Sequence, residues 1–159
     1  MTLRTLVVMR HAHAAEGART DHERPLTPRG QREARAQGEV AARLGWTVDH
    51  LLCSDAARTR ETFARFQQSY GRDVPSQITP RLYLPSLRTM LDVLGGAPDV
   101  DWLWVVAHNP TSEELVRALG GAAVGMPPAT MVRLTGAGPS WVEALEDPWT
   151  IQEVISPGA

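Results

Sequence analysis

The chain contains no lysine: all sixteen of its basic residues are arginine, and asparagine occurs once, at Asn109. This bias, set beside abundant alanine, glycine and proline, follows the composition of the coding sequence, so an arginine argues for function here only through its position. A single cysteine, Cys53, excludes an intramolecular disulfide framework and fits a reducing compartment. Long apolar runs are missing as well. The strongest, Leu6–Met9 and Leu103–Ala107, fall far short of the ~18 residues of a membrane span. The N-terminus lacks the apolar stretch and small-residue cleavage site of a secretory signal, and a cytoplasmic location is expected. A net charge of -2 leaves no basic field for nucleic acid or an anionic membrane, so neither is expected as a partner. No P-loop, no G-x-S-x-G elbow and no H-E-x-x-H or cysteine-pair metal motif occurs. What remains is ordinary: 159 residues, 43% apolar and 21% charged, enough to bury one core without a metal or disulfide staple.

Strand and helix patterns alternate along most of the chain. Leu3–Met9 is a short β-branched run that stops at a charged pair and reads as a buried strand. Arg10–Leu26 reads as loop. Thr27-Pro28 supplies a helix cap and a first-turn proline, and Gly45 is placed to end that helix near Leu44. Val48–Cys53 is a second strand. Ser54-Asp55 is expected to cap a helix whose Phe63, Phe66 and Tyr70 form a core stripe. Ser76–Thr79 reads as a short strand, Ser86–Leu94 as a helix, and Asp101–Ala107 as the clearest buried strand. Thr111 or Ser112 is expected to cap a helix that ends at Gly120-Gly121. The tail changes to short strand-like pieces, Thr130–Leu134, Trp141–Leu145 and Trp149–Ile155, separated by turns. The sum is an α/β sheet with helices on both faces and a hairpin-like tail.

In such sheets ligands bind outside the carboxyl ends of the strands. The first strand runs into Arg10-His11 and the fourth into His108-Asn109-Pro110. The second ends at Cys53-Ser54-Asp55, with Arg58 at the start of the next helix. If the three strands are parallel neighbours, two histidines and two arginines converge on one edge, beside a helix N-terminus that favours an anion. Alone, each has a plainer role: a hydrogen-bonded histidine, a solvated arginine, a turn. Together they suit a phosphoryl group. Arginine offers phosphate a planar, permanently charged fork, and histidine serves as nucleophile when neutral or as a clamp when protonated. No metal or cofactor is required.

At these residues the sequence resembles the histidine phosphatase superfamily, the phosphoglycerate-mutase-like fold, and within it the small SixA-type phosphohistidine phosphatases. The likeness runs through Val7–His11, Glu23–Gly30, Cys53–Thr62, Leu82-Tyr83 and Val106–Pro110. It implies one histidine phosphatase domain over residues 1–159, built as a three-layer α/β/α sandwich with a mixed, mostly parallel central sheet. It implies a metal-independent phosphatase in which His11 is the nucleophile that becomes phosphorylated. Arg10, Arg58 and His108 would bind the phosphoryl group, and Arg24 would reach it from the rim. The implied partner is a phosphorylated protein, such as a histidine-phosphotransfer or signalling domain, or a small phosphate compound. Two departures stand out. Ala12 replaces the family's usual glycine, tolerable if its φ is negative. Arg81 stands where many members carry an acidic residue before Leu-Tyr, and no proton-donating carboxylate is evident; Glu16, Asp21 and Asp55 read as loop or cap residues. Three alternatives stay open at this point: a metal held by His11 and His13 with His22 nearby, a non-catalytic phosphoprotein-binding module, and a phosphatase of small phosphate esters. The short segments Ala12–Glu23 and Gly121–Thr130 imply little cover over the pocket, which favours a bulky protein substrate.

Overall fold

In a computed structural model, which describes residues 2–158, six strands form one sheet in the order β3-β2-β4-β1-β5-β6. The strands are β1 (Leu3–Arg10), β2 (His50–Ser54), β3 (Ser76–Thr79), β4 (Trp102–Ala107), β5 (Met131–Ala137) and β6 (Thr150–Ile155). The first four run parallel to one another, β5 is antiparallel to β1, and β6 is antiparallel to β5. The mixed, mostly parallel α/β/α architecture expected from the sequence is therefore the one observed.

The period-2 alternation of the strands divides the core into two layers. Val7, Met9, Leu51, Cys53, Trp104 and Val106 face α1 (Pro28–Arg43) and α2 (Ala57–Tyr70), where they meet Ala34, Ala41, Phe63 and Phe66. Leu6, Val8, Leu52, Leu103, Val105 and Leu134 face α3 (Leu87–Gly95), α4 (Thr111–Gly120) and α5 (Trp141–Ala144). The helices α1 and α2 approach closely because Gly38 has no side chain: a Cβ there would lie 2.3 Å from the Phe66 carbonyl oxygen. Among the described residues no helix is long and apolar enough to cross a membrane.

Three local expectations need correction. Trp141–Leu145 is not a strand. Ser140 accepts a hydrogen bond from the Glu143 amide and starts the helical turn α5, burying Trp141 against the core. The tail hairpin is thus β5 and β6 alone. Helix α2 begins at Ala57 without a side-chain cap, because the Ser54 hydroxyl is drawn into the loop, where it accepts from the Ala56 amide. Helix α4 begins at Thr111, with Pro110 rather than a hydroxyl residue in the capping position.

Candidate active site

The register of the parallel strands brings the candidate residues together. Arg10 at the end of β1 pairs with Ala107 at the end of β4, and Cys53 of β2 pairs with Val106. His11, Ser54, Arg58 and His108 therefore emerge along one sheet edge. The His11 main chain is fixed on both sides: its amide donates to the Ala107 carbonyl (3.1 Å), and its carbonyl accepts from the Ala129 amide (2.9 Å). Ala12 is buried, is not among the residues of positive φ, and donates its amide to Thr62 Oγ1 (3.0 Å). The alanine in place of glycine thus costs nothing in backbone strain.

His11 is 7% exposed and its ring centroid lies 5.4 Å from that of His108. His11 Nδ1 sits 2.7 Å from the Ala12 carbonyl oxygen. A carbonyl can only accept, so Nδ1 carries the proton and Nε2 keeps its lone pair. Burial, reinforced by the charges of Arg58, Arg10 and Arg24, pushes the His11 pKa down to about 4, so the ring is neutral at pH 7.

His108 is 2% exposed, with Nε2 2.8 Å from Ser54 Oγ. Burial first, and then Arg58, lowers its pKa to about 3. Without an anion, His108 is therefore a neutral ring. Arg58, 3% exposed, turns both terminal nitrogens toward Asp21, Nη1 to the main-chain oxygen (2.8 Å) and Nη2 to Oδ2 (3.0 Å). Arg10 Nη1 donates to the Met126 carbonyl oxygen (3.1 Å). Arg10 Nε, Arg58 Nε and His108 Nδ1 are each buried with no partner. Buried polar atoms are normally satisfied, so these three nitrogens on neighbouring site residues are donors left over once the protein's own contacts are counted.

Arg24 is tied to the rim by Asp21 Oδ1 (3.1 Å), the Ala15 carbonyl (2.8 Å) and Glu16 (3.3 Å). Its charge acts on His11, but its nitrogens are engaged elsewhere. His13 is half-buried and bound through Nδ1 to Thr27 Oγ1 (2.8 Å), and His22 Nε2 lies 2.9 Å from Asp55. Both rings are engaged by side chains of this rim. Arg81 is exposed on the short turn before Tyr83.

Asp21 is the main surprise. Read from the sequence as a loop or cap residue, it opens a single 3-10 turn, Asp21–Glu23, that folds over Arg58. The segment is short, yet it reaches the site. Its carboxylate accepts from Tyr83 Oη (2.6 Å), Arg24 and Arg58, which hold it well below the usual carboxylate range. Asp21 is therefore an anion, not a stored proton. Ser54 and Tyr83 stood in segments the sequence singled out, yet neither was given a role at the site. The only signal for Ser54 was a hydroxyl at a strand end, which a helix cap would explain as well.

The sequence profile of the histidine phosphatase superfamily (branch 1) matches residues 6–83. A candidate phosphohistidine phosphatase SixA from Nakamurella multipartitia superposes with a TM-score of 0.85 at 33% identity, over 100% of this chain and 99% of that one. The chain belongs to the histidine phosphatase superfamily. Within it the structure is of the SixA type, and the likeness runs from end to end. The protein histidine phosphatase SixA complexed with tungstate shares the fold at 20% identity, with a TM-score of 0.82 over 96% of this chain and 97% of that one. By sequence, the SixA homolog of Haemophilus influenzae is 28% identical over 81% of this chain and 86% of its own length. An uncharacterised protein of Mycobacterium tuberculosis is 42% identical over 70% of this chain and 69% of its own.

Proposed function

We propose that the protein hydrolyses phosphohistidine, a phosphoramidate, on a protein partner, through a covalent phosphoryl intermediate on His11. The observation that carries the reading is a buried neutral imidazole whose Nε2 lone pair is free, beside three buried nitrogens without partners. Phosphoryl transfer asks a protein mainly for positioning and for donors around three equatorial oxygens. Arg10 Nε, Arg58 Nε and His108 Nδ1 supply such donors. With the Ser54 hydroxyl as donor to His108 Nε2, the proton of the neutral ring stands on Nδ1. A phosphoryl dianion raises the pKa of that ring and strengthens the contact.

In the first step His11 Nε2 attacks phosphorus in line, the substrate P–N bond breaks, and the departing imidazole keeps the electron pair. In the second, water attacks the phosphorylated His11, releasing inorganic phosphate and restoring the free ring. Asp21, the carboxylate that meets Arg58, is held as an anion and is not a proton donor. An alkyl ester leaving as an alkoxide needs such a donor. A ring-protonated phosphohistidine does not, because it departs as a neutral imidazole whose conjugate acid has a pKa of about 6.5. This chemistry favours the phosphoramidate over a sugar phosphate or other small alkyl ester.

The test is a turnover series at pH 7 over a phosphohistidine protein, a phosphoramidate, aryl phosphates and alkyl phosphates, with and without chelator. Rate should fall steeply as leaving-group pKa rises, chelator should have no effect, and rapid quench should trap an acid-labile phosphoenzyme. His11→Ala should lose both the trapped species and turnover. A flat dependence on leaving-group pKa, or a phosphoenzyme that survives in His11→Ala, overturns the assignment.

A further inference from the structure

Asp21 is placed to do something other than cap a turn. Arg58 is buried, and its guanidinium has two edges. The Nη1–Nη2 edge is filled by one residue, which offers its main-chain oxygen at 2.8 Å and its carboxylate Oδ2 at 3.0 Å. The remaining donor, Nε, is buried and unpartnered. A planar fork held by both tips cannot rotate about its long axis, so the direction of Nε is set by Asp21. Asp21 is itself held: Tyr83 Oη donates to Oδ2 at 2.6 Å, and Arg24 Nη1 donates to Oδ1 at 3.1 Å. Tyr83 in turn packs edge-on against His108 and His22, with ring centroids 5.6 and 4.8 Å away. The chain of contacts runs from the exposed rim to the unfilled donor.

We infer that Asp21, locked by the Tyr83 hydroxyl, is a positioning residue: it grips the far edge of Arg58 and aims Nε at the transferring phosphoryl group. The inference rests on the phosphoryl-transfer reading above. Three consequences separate it from a structural role. Asp21 acts through Arg58 alone, so it matters only while Arg58 is present. Its effect is larger on the trigonal-bipyramidal geometry of the transition state than on a bound ground state, where a misaimed donor can still find an oxygen. And removing the carboxylate weakens anion binding, although it deletes a negative charge next to the site, an outcome opposite in sign to simple electrostatics.

The experiment measures orthovanadate affinity by calorimetry and steady-state phosphoramidate turnover on the full chain. The proteins are wild type, Asp21→Ala, Tyr83→Phe, Arg58→Ala and the double variant of Asp21 and Arg58. Asp21→Ala should weaken vanadate binding and lower kcat by about 10- to 100-fold, the scale of an ångström-sized misplacement, with KM within about threefold of wild type. Tyr83→Phe, which leaves Asp21 in place and removes one hydroxyl, should move both in the same direction by a few-fold. In the Arg58→Ala background the Asp21 substitution should add nothing. Tighter vanadate binding by Asp21→Ala would show that the carboxylate competes with the ligand, and would overturn the inference. So would an Asp21 penalty that persists undiminished without Arg58, or wild-type behaviour in both Asp21→Ala and Tyr83→Phe. A wild-type protein that neither binds vanadate nor turns over a phosphoramidate removes the phosphoryl-transfer reading and this inference with it. Activity in the wild type with an unaffected Asp21→Ala removes only the inference.

Discussion

Keeping two histidine rings neutral inside the site has a cost that appears only in acid. In the unfolded chain both rings titrate near 6.5, whereas burial lowers His11 to about 4 and His108 to about 3. Below pH 6.5 the unfolded state therefore binds two protons that the folded state refuses, and stability falls as pH falls. The loss begins near 6.5 and levels off only below the folded values. Between pH 7 and pH 5 each ring costs about 2 kcal/mol, or about 4 kcal/mol for the pair. That is a large share of the roughly 5–15 kcal/mol that holds a domain of ordinary stability together. Asp21 does not contribute in this window, because a depressed carboxylate loses its stabilisation only through the acidic range below the ordinary carboxylate pKa. Urea unfolding at pH 7 and pH 5 measures the loss directly. The comparison protein is the double variant His11→Gln, His108→Gln, which keeps polar side chains of similar reach but cannot titrate. His50, also lowered by burial, contributes to both proteins and cancels. Wild type should lose about 4 kcal/mol more than the double variant between the two pH values. Equal losses would refute the argument and mean that the rings are accessible to protons while folded.

Two further outcomes follow from contacts away from the reacting atoms. Ser54→Ala removes the partner that selects the His108 tautomer and should lower turnover about threefold to tenfold, the worth of one hydrogen bond, measured as kcat on a phosphoramidate; wild-type turnover would remove Ser54 from the site. Gly30→Ala would drive a methyl to 2.0 Å from the His13 carbonyl oxygen, so the helix start or the segment after His11 must move, at about 1–3 kcal/mol by thermal or urea unfolding together with lost activity; an unchanged midpoint would show that the segment yields freely.

The frame of the site was legible because it rests on two simple signals. Buried strands announce themselves as apolar runs, and the residues that interrupt them at their carboxyl ends are Arg10, His11 and His108. Parallel pairing then forces those ends together, whatever the loops do. What could not be read was set by pairing between side chains distant in sequence. Asp21 meets Tyr83 across 62 positions and Arg58 across 37, and nothing in a polar loop foretells which carboxylate will find a buried guanidinium. The charge of His108 in the empty site was not legible for a related reason. A histidine beside expected phosphate suggests a cation, but burial together with the neighbouring Arg58 decides the charge before any phosphate arrives. Trp141–Leu145 failed on propensity: its aromatic and branched residues favour a strand, and the Ser140 cap with the burial of Trp141 outweighed them.

The double anchoring of the His11 peptide has a consequence for how the protein would fail. Many enzymes carry their reacting group on a loop that can melt while the rest of the molecule stays intact. Here the proposed nucleophile, His11, directly follows β1, an interior strand of the sheet, with its amide bonded to β4 and its carbonyl to the turn that leads into β5. To release that ring, the chain must break the ladder that holds both core layers, so no small local opening disables it. Displacement of the His11 peptide and loss of the fold become one event, whereas the Asp21–Tyr83 contact at the rim can fail while the sheet stays intact.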